Sequence, residues 1–176
     1  MSDPMEYLCK SLSYEDGKLL HYGKRMLLIP FSWLINLQKE IENILGPDGA
    51  YVLIKNASYK GGLEMAKDIE RFFKDLPPEQ KIAAFLKLGN ITGWGKLSLE
   101  KFQLDPLEVV IKSEHSYVEG AYEGESEGKC YFSSLVTSAV EQYVKNVGNI
   151  DYEIETVETK CIAMGDPYCE LVIRKA

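Results

Sequence analysis

The chain has 176 residues, 45% of them hydrophobic and 27% charged, which suffices for the core of one domain and excludes a disordered or collagen-like polypeptide. Its 27 acidic and 20 basic side chains leave a formal charge of −7, a field that repels phosphate backbones and argues against a nucleic-acid partner. No apolar run approaches the roughly 20 residues of a membrane helix, so no membrane partner is expected. Residues Met1 to Glu6 are acidic and lack the basic, apolar, small-residue order of a secretory signal, which points to the cytoplasm. Four cysteines in that reducing compartment are more often thiols or metal ligands than disulfides.

In chain order, Leu19 to Pro30 reads as short extended segments turning at Tyr22-Gly23-Lys24. Ser32 is a candidate cap for an amphipathic helix carrying Leu34, Leu37, Ile41, Ile44 and Leu45 at spacings of three and four. Gly46-Pro47 ends it. Asp48 offers the cap of a second helix through Phe73, and Gly61-Gly62 inside that helix either breaks it or, the preferred reading, lets another backbone pack closely there. Pro77-Pro78 opens a third helix through Leu88, with Gly89-Asn90 as its stop signal. The period then shifts toward two, giving strands over Trp94 to Phe102, Leu107 to Ile111 and Tyr117 to Tyr122 as an antiparallel meander. The Glu/Gly loop Gly120 to Gly128 reads as a solvated tip. Tyr131 to Val144 returns to helical spacing, stopped by Gly148-Asn149. A final strand pair, Ile150 to Lys160 and Tyr168 to Arg174, flanks the turn Met164-Gly165-Asp166-Pro167. Helices, strands, a helix and strands in that order define an α+β domain rather than a doubly wound sheet.

Cys161 and Cys169 bracket the turn, and two thiolates on adjoining strand ends can converge on one ion. Glu158 lies three residues before Cys161. Such residues face opposite sides of a regular strand, so the pair shares an ion only if the strand bulges or ends near Cys161. Cys130, ahead of the last long helix, is a candidate fourth ligand, and a sulfur-rich tetrahedral set is what zinc prefers. A set of four protein ligands leaves no open position, so the site would be structural. A Cys161–Cys169 disulfide and two inert core thiols are the competing readings of the same spacing.

The run Glu158-Thr159-Lys160-Cys161, then Gly165-Asp166-Pro167 and Cys169 before a hydrophobic strand, resembles the signature of the 4-vinyl-reductase (hydrocarbon-binding) domain family. Cys130-Tyr131-Phe132, Gly93-Trp94-Gly95 and Ser116-Tyr117 are similar to other motifs of that family, and the resemblance spans about residues 20–174, leaving 1–18 as an N-terminal extension. It implies a single small-molecule-binding domain with the α+β fold shared by sensory domains of aromatic-responsive activators, nitric-oxide sensors and vesicle-tethering subunits. It further implies a structural zinc held by Cys130, Glu158, Cys161 and Cys169, and a homodimer. The family helix after the first cysteine commonly carries glycines where this chain has Leu135 and Ala139, a departure that bears on pocket shape.

The resemblance places a ligand pocket between the third helix, the meander and the last helix, where Phe85, Trp94, Tyr117, Ser134 and Met164 are candidate walls. Apolar walls with few polar groups suit a hydrocarbon or aromatic ligand. His21 and His115 have no Ser or Cys at useful spacing, so no nucleophile and base are assigned, and no glycine-rich phosphate loop is present. The expectation is an apolar-ligand-binding protein whose output passes through another regulatory protein. The competing readings are a tetrapyrrole-binding protein linked to vinyl-group reduction and a scaffold subunit with a filled core.

Overall fold

A computed structural model describes residues 9–121 and 131–176, with only the helical backbone described for 132–136. The first strands among the described residues form an antiparallel three-stranded sheet, β1 (Leu12–Glu15), β2 (Lys18–His21) and β3 (Lys24–Met26). Asp16, Gly17, Tyr22 and Gly23 in the two connecting turns all have positive φ, the backbone of a type I′ hairpin turn. The sequence reading takes in the second of these turns but not Asp16-Gly17, the stronger signal, so β1 lies in the segment it treats as an extension. β3 also stops at Met26, and Leu27 to Pro30 is not strand.

Helix α1 (Phe31–Phe72) consists of two arms that meet at Gly46, whose φ of 71° and ψ of 166° interrupt the helix. Only glycine takes that φ freely, and Pro47 favours an extended ψ before it and starts the next arm with φ already set. The first arm begins after Pro30 without a side-chain cap, so Ser32 sits inside the first turn instead of capping it. In the second arm the close packing expected at Gly61-Gly62 falls on Gly62: a Cβ there would lie 2.7 Å from the carbonyl carbon of Ser138, whereas one at Gly61 meets nothing within 4 Å. The β2–β3 hairpin is fastened to this arm by a Lys24–Asp68 ion pair and by the Tyr22 ring, 4.9 Å from that of Phe72.

Helix α2 (Pro78–Ile91) starts at the expected proline but runs past Gly89. Asn90 explains the overrun: its side chain accepts from Leu97 N at 2.7 Å and donates to Leu97 O at 3.0 Å, bonding the helix end to the next strand. Thr92 closes the helix, its hydroxyl donating to Leu88 O at 2.9 Å.

The main sheet contains β4 (Lys96–Leu104), β5 (Leu107–Glu114), β6 (Ile154–Lys160) and β7 (Cys169–Lys175) in the order β4-β5-β7-β6, all antiparallel. The expected third strand of the meander does not form over residues 117–121. That stretch is turns, satisfied locally by Glu119 N to Ser116 O and Ala121 N to Val118 O, because β7 occupies the open edge of β5. Tyr122, and the Glu/Gly loop from 122 on, lie outside the described residues.

On β5 and β7 buried residues alternate with half-buried ones, placing Val109, Ile111, Leu171 and Ile173 on one face. Helix α3 (Phe132–Val147) lies against β6 and β7, and the second arm of α1 lies against α3. The core joins Ile69 of α1, Ile82 and Leu86 of α2, and Val140 and Tyr143 of α3 to that sheet face. Each of these side chains is almost wholly withdrawn from water, which supplies the main driving force for the arrangement.

Candidate ligand cavity and metal cluster

Between the N-terminal hairpin, both arms of α1, and α2 lies a cavity of about 660 Å³. Its walls are mainly apolar: Leu34, Ile54, Ile69 and Phe72 from α1, Phe85 from α2, and Trp94 from the loop before β4. Helical spacing brings the α1 residues to one side, and the Asn90 clamp holds the α2 end and Trp94 beside β4. The volume falls in the range of drug-sized ligand sites, whose walls are likewise apolar with a few placed polar groups.

Polar groups on this wall are few. Gln38 is only 3% exposed, and its Nε2 donates to the Tyr117 hydroxyl at 2.7 Å. Its Oε1 is buried with no hydrogen-bond partner among the described residues. At the hairpin end His21 Nε2 is likewise buried and unpartnered among the described residues, and burial lowers the pKa of this imidazole by disfavouring its charged form.

Of the sequence-proposed wall residues, the structure brings Phe85 and Trp94 to the cavity. Tyr117 stands one layer behind, buried, with its ring edge-on to Trp94 at 5.5 Å and its hydroxyl on Gln38. Met164 does not belong to the wall: it is 63% exposed in a short 3-10 turn, Ile162–Met164, beyond the end of β6. A turn between strand ends points such a side chain to solvent, away from the helices. The side chain of Ser134 lies outside the described residues. A Cβ at Gly95, next to Trp94, would meet Ser113 Oγ at 2.8 Å and Ser116 Cα at 3.1 Å, so this glycine lets the loop approach the sheet. Sequence reasoning missed Gln38 and His21. A glutamine among the apolar positions of an amphipathic helix was the available signal, and it reads equally as the solvent face until the helix is packed.

The second constellation lies at the opposite end of the chain. Ligand atoms of Glu158, Cys161 and Cys169 lie within 4.8 Å of one another, with both cysteines buried and not disulfide-bonded. The β6–β7 register shifts between Glu158 and Lys160, and β6 ends before Cys161. This bulge and strand end turn two residues three apart toward one point, the condition that sequence geometry imposed. The loop supplies fixed donors: Ile162 N–H donates to Cys169 Sγ at 3.3 Å, and Asp166 Oδ2 accepts from Cys161 N at 2.8 Å. Met164 N and Asp166 N donate to the Cys161 carbonyl at 3.0 and 3.1 Å. A backbone donor to sulfur stabilises a thiolate, and two thiolates with a carboxylate form a donor set that fits zinc. Cys130, the fourth expected ligand, lies outside the described residues.

The chain belongs to the family described as "activator of aromatic catabolism", whose profile matches residues 8–105. The match includes β1, the helices around the cavity and β4.

Among solved structures, the phenol-responsive sensory domain of the transcription activator PoxR, crystallised with phenol, superposes with a TM-score of 0.79 at 17% identity. The superposition covers 99% of this chain and 90% of that one. A vinyl-4-reductase family protein of Methanocaldococcus jannaschii superposes with a TM-score of 0.53 at 12% identity, over 86% of this chain and 84% of that one. A trafficking protein particle complex subunit 3 of Naegleria fowleri, covalently bound to palmitic acid, has the same TM-score and identity over 83% and 95% of the two chains. These likenesses establish the shared α+β fold that the C-terminal signature implied. An uncharacterised protein of Methanocaldococcus jannaschii is 30% identical over 149 residues, covering 79% of this chain. The alignment spans 59% of that curated relative's length.

Proposed function

We propose that the protein is one small-molecule-binding domain that encloses a predominantly apolar ligand between its N-terminal hairpin and helices. The observation that carries this reading is the aromatic and aliphatic cavity of about 660 Å³. Membership of a family of activators of aromatic catabolism, together with the PoxR likeness, supports an aromatic or other hydrocarbon ligand. No catalytic step is needed by this reading.

In the same reading Glu158, Cys161, Cys169 and Cys130 hold a structural zinc that fastens the β6–β7 end of the sheet to the start of α3. Zinc in such a closed set supplies folding energy and no reaction. The protein acts in the cytoplasm, where the cluster thiols stay reduced; among the described residues no helix is long and apolar enough to cross a membrane. It pairs with a second copy through apolar surface on the 27–33 segment and the first arm of α1, where Leu28 is 87% and Ile44 77% exposed. Large apolar side chains exposed in such number along one segment mark contact sites. Ligand-dependent ordering of the hairpin and α1 passes to a regulatory partner by population shift.

The test is displacement fluorescence with 1-N-phenylnaphthylamine on the full chain, beside Ser58→Phe, which fills the cavity from a buried wall position. Saturable binding that falls in the filled variant, with its melting temperature preserved, is expected. No binding by wild type and no organic molecule extractable from purified protein would reject the reading.

A further inference from the structure

We propose that the cavity selects an amphipathic ligand larger than a single aromatic ring and bearing a hydrogen-bond donor, and that Gln38 Oε1 accepts that donor. The inference rests on the cavity being the ligand site and adds which ligands it prefers. Gln38 is buried on the cavity wall, and its amide is committed at one end: Nε2 donates to the Tyr117 hydroxyl at 2.7 Å. The group of this wall residue left without a hydrogen bond is the carbonyl oxygen, which accepts only. That oxygen has no hydrogen-bond partner among the described residues. A ligand with a hydroxyl or N–H satisfies it, whereas one without must bury it unpaired, so the donor becomes a basis for discrimination.

Tyr117 is the positioning residue. Its hydroxyl accepts from Nε2 and so leaves Oε1 unbonded, and its ring is held by the edge-on contact with Trp94. Trp94 lines the same cavity, so a ligand ring and its donor are read by neighbouring groups. Size follows from volume: a dry cavity of about 150 Å³ holds one benzene, and this one is about 660 Å³. A second ring or a long aliphatic chain is needed to fill it.

The experiment is titration calorimetry of the full chain with 4-phenylphenol, 4-methoxybiphenyl and phenol. 4-Phenylphenol is expected to bind about fivefold or more tightly than 4-methoxybiphenyl, which keeps the oxygen but lacks the donor, the ratio that one net hydrogen bond gives. Phenol is expected to bind more weakly than 4-phenylphenol, since it leaves most of the apolar wall uncovered. Gln38→Leu should equalise the two biphenyls while retaining 4-methoxybiphenyl, and Tyr117→Phe should narrow their ratio without abolishing either, which a merely structural role would not do. The wild-type ratio decides the question even if a variant does not fold. Equal biphenyl affinities, a tighter methoxy compound, or a preference that survives Gln38→Leu would overturn the proposal, as would phenol binding as tightly as 4-phenylphenol. If 1-N-phenylnaphthylamine binds but neither biphenyl does, this proposal alone fails; if nothing binds, the cavity reading fails with it.

Discussion

Two adjacent glycines in the second arm of α1 offer an internal control on how the helices pack. A Cβ at Gly61 meets nothing within 4 Å, whereas one at Gly62 would lie 2.7 Å from the backbone carbon of Ser138 and 2.8 Å from its Cβ and Oγ. Ordinary carbon contacts begin near 3.5 Å, so alanine at 62 requires α1 and α3 to part by something under about 1 Å. Both substitutions gain about 1 kcal/mol of helix propensity. At Gly62 this is opposed by about 1–3 kcal/mol of overpacking in a dense interior. Gly61→Ala should therefore raise the melting temperature by about 2–4 °C, the shift per kcal/mol expected at this size. Gly62→Ala should melt at a lower temperature than Gly61→Ala and at or below wild type. Adding Ser138→Gly should restore Gly62→Ala only in part, because the nearest atom belongs to the α3 backbone. Thermal denaturation by circular dichroism on the four proteins measures this; Gly62→Ala melting as high as Gly61→Ala would refute the close approach of the two helices.

Elemental analysis of protein purified without added metal should give about one zinc per chain, and Cys161→Ser or a strong chelator should lower the melting temperature sharply, since structural zinc couples about 10–16 kcal/mol of binding to folding in small fingers. His21 has a folded pKa below its ordinary 6.5 because burial disfavours the imidazolium. Between the two values the unfolded chain binds more protons, so stability is complete above about pH 6.5 and falls as the pH drops toward the folded value; His21→Phe should flatten that limb in pH-dependent melts. Lys81, 9% exposed, has its Nζ 2.6 Å from Glu70. Glu70→Gln should cost about 1–3 kcal/mol by weakening the partner of a buried ammonium, while Lys81→Met should be nearly neutral; urea denaturation separates the two. Glu114 is held at about 2 by hydrogen bonds from Lys112 and then Lys96, so its carboxyl resonance should titrate there and move upward in 1 M salt as the exposed charges are screened.

Periodicity and backbone-breaking residues alone determined that the helical segments exist, the break at Gly46-Pro47, a close contact at the Gly61-Gly62 pair and the α+β class, because these depend on spacings and backbone permissions carried by neighbouring residues. The rule that strand residues three apart diverge also required a bulge or strand end beside Cys161, and β6 supplies both. What lay beyond the sequence depended on partners distant along the chain. Tyr117 to Ala121 has strand-like composition, yet β7, more than fifty residues later, takes the edge of β5. The helix at Asn90 passes its local stop signal because Leu97 bonds the side chain. Met164 reads as a wall residue and faces water, whereas Gln38 reads as solvent face and is buried against Tyr117, 79 residues away. Burial of a side chain is a property of what packs over it, and only the tertiary structure brings the hairpin, α1, α2 and Trp94 around one cavity.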